Sequence, residues 1–468
     1  MTKFSAFTDD ALGNLDATAI LEAIKAGRVS MAEVTEAAIS RARRSQTVIH
    51  AVTCDDYDAA MQRARAAQSA SVLQGLPAFI KDNIDWAGKP TRFGSRAMPK
   101  GPASGNSVTT QQLIDAGLNF LGKSATPPFG FGCSTEFEDD TPPVGNPWDL
   151  RYSAGGSSGG AAALVASGVV PIAHANDGGG SIRIPAGMCG VVGLKPSRGR
   201  LAVQPNAKKM PINIISDGVV TRSVRDTALF YHAAEQVFKP DGLKPIGHVR
   251  GPGRDRRRIG IIYDSVLTKA CPETRAAVTN TAKLLANAGH HIEEIPIPIE
   301  DSFARDFTLY WCLFAFSIGT FGKRLFGPDF DKSQLDPLSL GLAGQFKRNF
   351  WRLPGVLSRL RGTAARLEAR IPNIDVVMSP VVAKVTPELG HLNPGVPYAQ
   401  LFPRLESYVG YTPLANITGF PSISLPMGRS DAGLPIGIQL STGIGEERTL
   451  LELAYELEGI QPWPQLFS

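Results

Sequence analysis

The sequence predicts an α/β protein, because apolar runs of strand length alternate along the chain with segments of helical composition. A run of good helix formers, Ala161–Ser167, ends at a glycine and precedes the strand-like run Val169–Ala175. Strand-like Ile259–Tyr263 and Ile292–Ile297 enclose a helical segment, Pro272–Ala288, which makes a β-α-β unit. The chain has 468 residues, 43% of them hydrophobic and 19% charged, so we expect a large buried core.

The first 70 residues read as a layer of helices without catalytic candidates. Ala17–Ala26 is amphipathic and is followed by a glycine, and Ser30 with Glu33 has the spacing of a capping box before a second helix. Asp55–Ala70, rich in alanine, predicts a third helix. Towards the C-terminus, Ser223–Val237 and Glu446–Glu458 are further helical segments.

Composition excludes several classes of protein. A net charge of +5 is mild for this length, and no long basic tract exists beyond Arg254–Arg258, so we expect no nucleic-acid partner. The first ten residues lack the apolar core of a secretory signal, and no apolar run has the length of a membrane span. The five cysteines show neither C-x-x-C nor metal-ligand spacing. These features predict a cytoplasmic protein with reduced thiols, no metal and no membrane association.

Two glycine-rich turns that carry serine flank the helix at 161–167 and the strand after it. Ser157 and Ser158 lie in the first turn, at the N-terminus of the helix, where free N–H groups point outward. Ser181 follows Gly178, Gly179 and Gly180, at a sharp bend that we expect after the strand. Consecutive glycines let several N–H groups converge on one point, which suits an oxyanion. A glycine-rich turn around a buried serine is the plain structural alternative for either turn alone.

These turns resemble the amidase signature family. The matching motifs are G-G-S-S-G-G at 155–160, D-G-G-G-S-I-R-I-P-A at 177–186 and C-G-V-V-G-L-K-P-S at 189–197. The resemblance implies an α/β/α sandwich around a large mixed β-sheet, with Ser181 as the nucleophile and Ser157, preceded by a cis peptide, as a bridging serine.

Gly178 departs from the pattern of many members of this family, which have Thr or Ile there. Members that act on linear or cyclic amide oligomers, aryl amides or carbamates can share the glycine. We place the signature core at 75–240, and because related motifs continue to about residue 440, we expect one domain over 1–468.

Lys81 follows the strand-like, apolar Ala78–Ile80. A lone lysine at such a position usually reaches from the apolar surface to water. The motif G-x-P-x-x-x-K-D-N, however, resembles the lysine motif of the family, which implies that Lys81 is the general base. A base must be neutral, so the pKa of Lys81 should fall from about 10.4 to roughly 7–8 on burial.

Four further residues support this site in our interpretation. Asp177 and Arg183 flank the second turn at a spacing that allows an ion pair, which would hold the turn rigid. Asn176 could contact the substrate or the turn, and Ser158 supports the first turn. The N–H groups of residues 178–181 are the expected oxyanion hole.

Two other motifs are formal matches that we reject. Gly155–Gly159 fits the G-x-S-x-G nucleophile elbow, which would make Ser157 the nucleophile, but no downstream histidine lies in a recognisable catalytic loop. Gly117–Ser124 fits the Walker A pattern, but its variable positions are apolar and strand-like, and prolines follow it.

The segment after residue 117 instead resembles the strand and loop that precede the substrate pocket in the family. Five of its residues are pocket candidates: Phe129, Gly130, Cys133, Ser134 and Thr135. A plain surface loop is the alternative.

Residues 303–361 combine many aromatic side chains with interleaved lysines and arginines. Two interpretations stand: a helical core with a solvated basic face, or a variable lid over the active site spanning about 300–365. A basic amphipathic surface for membranes ranks last, because Pro354 interrupts the pattern. The lid interpretation adds Trp311 and Cys312 to the pocket.

The sequence therefore predicts a hydrolase of carbon–nitrogen bonds other than peptide bonds, working through a serine acyl-enzyme without a cofactor. The expected substrate is a small hydrophobic or aryl amide, with carbamates or esters as further substrates. An amidotransferase subunit that releases ammonia from glutamine within a complex is the alternative, and a non-catalytic binding protein is a third. A homodimer is compatible with the sequence.

Overall fold

The computed structural model describes residues 2–66 and 71–467. Its centre is an eleven-stranded sheet with the order β1-β3-β2-β6-β8-β7-β12-β13-β11-β9-β10, and β4 and β5 form a separate pair. The strands are β1 (Val52–Asp55), β2 (Leu76–Lys81), β3 (Leu118–Ser124), β4 (Gly145–Asn146), β5 (Asp149–Ser153), β6 (Ile172–Asp177), β7 (Val192–Lys195), β8 (Ser216–Thr221), β9 (Arg258–Ile261), β10 (His291–Glu294), β11 (Val376–Pro380), β12 (Ser422–Arg429) and β13 (Pro435–Ser441).

The α-helices are α1 (Ala17–Lys25), α2 (Met31–Gln46), α3 (Tyr57–Ala66), α4 (Val108–Asp115), α5 (Gly159–Ala166), α6 (Arg183–Cys189), α7 (Pro205–Lys208), α8 (Val224–Val237), α9 (Pro272–Asn287), α10 (Ser302–Phe326), α11 (Pro337–Asn349), α12 (Leu353–Arg361), α13 (Thr363–Arg370), α14 (Tyr398–Tyr408), α15 (Pro413–Thr418) and α16 (Glu447–Ile460). Short 3₁₀ turns lie at Pro128–Gly130, Lys332–Gln334 and Phe350–Arg352.

The sheet is mixed and buried. β2 pairs in parallel with β3 and β6, and β9 with β10 and β11, whereas β8, β7, β12 and β13 connect these two groups through antiparallel pairs. Every residue of the central strands β2, β3, β6, β7 and β8 is buried. Strands that are buried on both faces need helices on both faces, and this gives the α/β/α arrangement.

Most predicted elements form, with shifted boundaries. The capping box of Ser30 and Glu33 is present at the start of α2. The third helix spans Tyr57–Ala66, and the part predicted for residues 67–70 lies outside the described residues. The strand predicted from residue 169 begins at Ile172, because the N–H of Val169 still bonds to the carbonyl of Leu164 in the preceding helix.

Candidate active site

The second glycine turn is held by a buried ion pair. Asp177, the last residue of β6, accepts hydrogen bonds from the N–H groups of Gly180 at 2.7 Å and Ile182 at 3.1 Å. Its carboxylate also receives Arg183 Nε at 3.0 Å and Asn416 Nδ2 at 2.9 Å. The Arg183 guanidinium holds the pKa of Asp177 well below its usual range despite burial. Asp177 therefore holds the turn that contains Ser181 through hydrogen bonds to the main chain, to Arg183 and to Asn416.

Three N–H groups of this turn are free to bind a substrate oxygen. None of the described residues accepts a hydrogen bond from the N–H of Gly178, Gly179 or Ser181. The N–H of Gly180 bonds to Asp177 instead, so our expectation that it points at an oxyanion is corrected. Gly180 is required for a different reason, since its φ is +131° and a Cβ there would lie 2.4 Å from the Thr412 hydroxyl.

The first glycine turn lies against the second. The Gly156–Ser157 peptide bond is cis. The N–H of Ser158 donates to the carbonyl of Ser181 at 3.3 Å, and its hydroxyl donates to the carbonyl of Asn176, also at 3.3 Å. Ser158 thus joins the two turns, and it leaves the Ser157 hydroxyl facing the same cavity as Ser181.

Lys81 ends β2 beneath the two turns, fully buried. Its Nζ donates to Ser157 Oγ at 2.7 Å and to Asn176 Oδ1 at 2.8 Å. Burial lowers the pKa of Lys81 from 10.5 to about 7, against the opposing effect of Asp177 and Asp217. A substantial fraction of the amine is therefore neutral near pH 7. The neutral amine is the form that accepts a proton from a hydroxyl.

Sequence reasoning missed a second layer of residues behind Lys81. The main-chain N–H of Lys81 donates to His174 Nδ1 at 3.2 Å, and His174 Nε2 lies 3.2 Å from Asp217 Oδ1. Because Nδ1 accepts, the proton of this buried ring is on Nε2, towards the carboxylate. Thr109 Oγ1 donates to the other oxygen of Asp217 at 3.1 Å. The period of two along β6, which places His174 and Asn176 on one face, was the available signal.

Asn83 is a further residue at this site that the K-D-N motif contained without our assigning it a role. Its Nδ2 donates to Asn176 Oδ1 at 3.1 Å, and its Oδ1 accepts from Asn176 Nδ2 at 3.0 Å. This two-way bond orients the Asn176 amide so that its oxygen faces Lys81. Asn176 is therefore a bridge between the lysine and the cavity wall.

A cavity of about 1000 Å³ opens over both serines. Of the predicted pocket residues, Phe129, Gly130, Cys133 and Trp311 line it. Burial raises the pKa of the Cys133 thiol to about 12, so this thiol stays protonated.

Three predicted pocket residues lie outside the cavity, which corrects our expectation. Ser134 and Thr135 turn away from it: the Ser134 hydroxyl bonds to Glu136 at 2.7 Å, and the Thr135 hydroxyl bonds to the carbonyl of Gly155 at 2.8 Å. Cys312 is fully buried in the apolar core between the helices.

Helix α10 forms one wall of the cavity. A Cβ placed on Gly179 would lie 3.4 Å from the ring of Phe307, so this ring sits beside the free N–H groups. Trp311 follows one turn later and packs edge-on against Phe131, with ring centroids 6.0 Å apart. The predicted lid segment therefore contributes aromatic surface directly next to the serines.

The charges on the cavity wall are mostly acidic, although the chain as a whole carries +5. Among the described residues that line it, the charged side chains are Asp85, Asp217, Asp329, Glu406 and Lys209, and none is an arginine. The wall thus offers little to an anionic substrate and suits a neutral or cationic one.

Within the described ranges, no group of three or more His, Cys, Asp or Glu side chains is placed to hold a metal ion. Over the same ranges, no helix has the length and apolar character needed to cross a membrane.

The chain belongs to the amidase family, whose profile matches residues 33–451. A protein of Mycobacterium tuberculosis that carries the amidase name AmiC is 45% identical to it over 100% of this chain and 99% of that protein. The solved structure of a 6-aminohexanoate cyclic dimer hydrolase with its substrate superposes with a TM-score of 0.86 at 28% identity, covering 97% of this chain and 98% of the other.

A bacterial aryl acylamidase of the amidase signature family gives a TM-score of 0.83 at 25% identity over 96% of each chain. The chain is thus an amidase signature enzyme, a hydrolase that acts on carbon–nitrogen bonds other than peptide bonds.

Proposed function

We propose that this amidase hydrolyses small, largely apolar amides by acyl transfer through Ser181, with Ser157 and Lys81 as its proton relay. The observation that supports the relay most directly is the 2.7 Å hydrogen bond from Lys81 Nζ to Ser157 Oγ beneath a cavity that Ser181 also lines. Neutral Lys81 takes the Ser157 proton, Ser157 takes the Ser181 proton, and Ser181 attacks the carbonyl carbon.

The N–H groups of Gly178, Gly179 and Ser181 bind the oxygen of the tetrahedral intermediate, each donor contributing about 3 kcal/mol. The proton then returns through Ser157 to the leaving amine, and water releases the acyl group. None of the described residues is hydrogen-bonded to the Ser181 hydroxyl. In our proposal its bond to Ser157 forms when substrate closes the site, as catalytic hydrogen bonds often do.

The substrate we favour is an aryl or alkyl amide, with aryl carbamates as a second class because they present the same carbonyl and leaving amine. The ring of Phe307 beside Gly179 and the contact of Trp311 with Phe131 support an apolar substrate. The names of two similar proteins, an aryl acylamidase and a 6-aminohexanoate cyclic dimer hydrolase, are consistent with this choice. Glutamine is disfavoured, because its α-carboxylate would meet a wall on which the described residues include four carboxylates and only one lysine, Lys209.

The test is hydrolysis of an anilide, a primary aliphatic amide, an aryl carbamate and glutamine by the purified chain. We expect turnover of the anilide or the carbamate, and its loss in Ser181→Ala. Full activity in Ser181→Ala combined with an inactive Ser157→Ala would move the nucleophile to Ser157 and overturn the mechanism. Turnover of glutamine alone would replace the substrate class with that of an amidotransferase.

A further inference from the structure

Glu406 on α14 lines the substrate cavity as a carboxylate without a partner. It is half-buried, and its neighbours along the wall are the apolar Phe402, Leu405 and Val409. No described residue forms a hydrogen bond or an ion pair with it. Burial raises its pKa, and no charged group opposes that effect. A carboxylate that is partly removed from water without a partner is costly, and a cation in the cavity would remove that cost.

The other acidic side chains of the wall either have hydrogen-bond partners or are exposed to solvent. Asp217 already bonds to His174 and Thr109, as described above. Asp85 and Asp329 are exposed, so water satisfies them. Glu406 is therefore the one carboxylate among the described cavity residues that is half-buried and unpaired.

Glu406 shares one cavity with the two serines. Ser157, Ser181 and Glu406 all line it, and so do Phe307 and Leu313 of α10. A substrate whose carbonyl lies at Ser181 can therefore extend towards Glu406 along the apolar wall that α10 forms.

We propose that Glu406 is an ammonium-binding subsite, and that the preferred substrate is an apolar amide carrying a protonated primary amine on its acyl side or its amine side. The inference rests on the proposed function, because it takes Ser181 as the attacking residue. The ammonium group donates charge-assisted hydrogen bonds to the carboxylate while its alkyl chain packs against Phe402 and Leu405. Because the described wall carries four carboxylates and a single lysine, Lys209, the same cavity disfavours a carboxylate-bearing substrate.

The experiment compares three anilides whose acyl groups have the same chain length. They are the anilide of hexanoic acid, which is neutral, the anilide of 6-aminohexanoic acid, which is cationic, and the monoanilide of adipic acid, which is anionic. A second set places the ammonium on the leaving side, as a para-aminomethyl group on hexananilide, so that both halves of the substrate are tested. In at least one set we expect kcat/KM of the cationic substrate to exceed that of the neutral one by about tenfold, mainly through KM, with the anionic substrate weakest.

The variant Glu406→Gln keeps the side-chain shape and removes the charge, and we expect it to bring the cationic-to-neutral ratio close to one. Glu36→Gln, the same substitution on an exposed residue outside the cavity, should keep the ratio of the wild-type chain. Sodium chloride should lower the ratio in the wild-type chain, which gives a second readout that needs no variant.

Two results would overturn the subsite. One is equal turnover of cationic and neutral anilides in both sets by the active wild-type chain, and the other is a cationic preference that survives in Glu406→Gln. Failure of the proposed function looks different, because hydrolysis of the neutral hexananilide, lost in Ser181→Ala, measures that function alone. If the chain hydrolyses none of these amides, both the proposed function and the Glu406 subsite are wrong.

Discussion

At the scale of single residues, the site depends on one buried lysine whose proton affinity is set by its surroundings. Lys81 is fully buried, and its Nζ donates to two oxygens, Ser157 Oγ and Asn176 Oδ1. Two carboxylates lie near it, but Arg183 neutralises Asp177, and the His174 ring lies between the Lys81 main chain and Asp217. Burial therefore dominates, and the ammonium form is disfavoured.

The first prediction concerns the pH profile of kcat/KM on a neutral anilide. The pKa of Lys81 is about 7, and its neutral form is the base, so activity should rise with pH and reach half its plateau near pH 7. Lys81→Met should lose about 10²–10⁴ in rate across the profile, since it removes the base without adding charge. A midpoint near pH 10, or a rate independent of pH between 5 and 9, would contradict the assignment of Lys81.

The second prediction uses Asp217, whose charge raises the pKa of Lys81. Asp217→Asn removes that charge, so the pKa of Lys81 falls and the midpoint of the acid limb moves to lower pH. Thr109→Val is the matched control, because it removes a hydrogen bond to Asp217 and keeps the carboxylate. A midpoint that stays in place in Asp217→Asn, or that moves equally in both variants, would show that the charge does not act on Lys81.

At the scale of elements, the contiguous motifs were predictable, whereas contacts between distant segments were not. The two glycine turns and β2 are short segments whose residue types determine their local geometry, so Lys81, Ser157 and Ser181 could be named from the sequence. Phe307 and Thr412 reach the second turn from more than 100 residues away along the chain, and no local pattern announces such contacts.

Helical phase limited the prediction as well. Trp311 and Cys312 are neighbours on α10, but successive residues of a helix point about 100° apart, so Trp311 lines the cavity while Cys312 is buried between helices. The sequence indicated a helix in this region, but the aromatic residues are too evenly spread to define which face meets the cavity. The lid role of residues 300–365 stays a prediction.

The third prediction tests how closely α6, which follows Ser181, must approach the sheet. A Cβ placed on Gly437 in β13 would lie 2.6 Å from the Cα of Gly187 in α6. Gly437→Ala should therefore push α6 away from the sheet, lower the free energy of unfolding by about 1–3 kcal/mol and reduce kcat. Urea unfolding and anilide turnover measure the two effects.

Gly443→Ala is the control for this change, because nothing lies within 4 Å of the added atom. We expect it to alter stability by no more than about 0.5 kcal/mol. A Gly437→Ala variant as stable and active as Gly443→Ala would mean that the helix–sheet contact can relax, and that the position of Ser181 does not depend on it.

At the scale of the whole molecule, the sheet runs without interruption from β1 to β10, and the N-terminal segment is tied to it. Arg41 on α2 is 1% exposed and donates to the carbonyl of Gly168 beyond α5, and also to Asp10 and Gly13. Asp226 on α8 accepts from the N–H of Ala17 at the start of α1. These contacts support our prediction that the chain is one domain.

The fourth prediction follows from that arrangement. Arg41→Ala removes the buried guanidinium that donates to Asp10 and to three carbonyls, and should lower the free energy of unfolding by about 3–5 kcal/mol while keeping a single transition. Arg28→Ala, on an exposed residue, should change it by less than about 0.5 kcal/mol. Ellipticity at 222 nm and residual activity, followed along the same urea series, should fall together in both variants. If Arg41→Ala instead unfolds in two steps, with activity retained through the first, the N-terminal helices are a separate unit and the single-domain prediction is wrong.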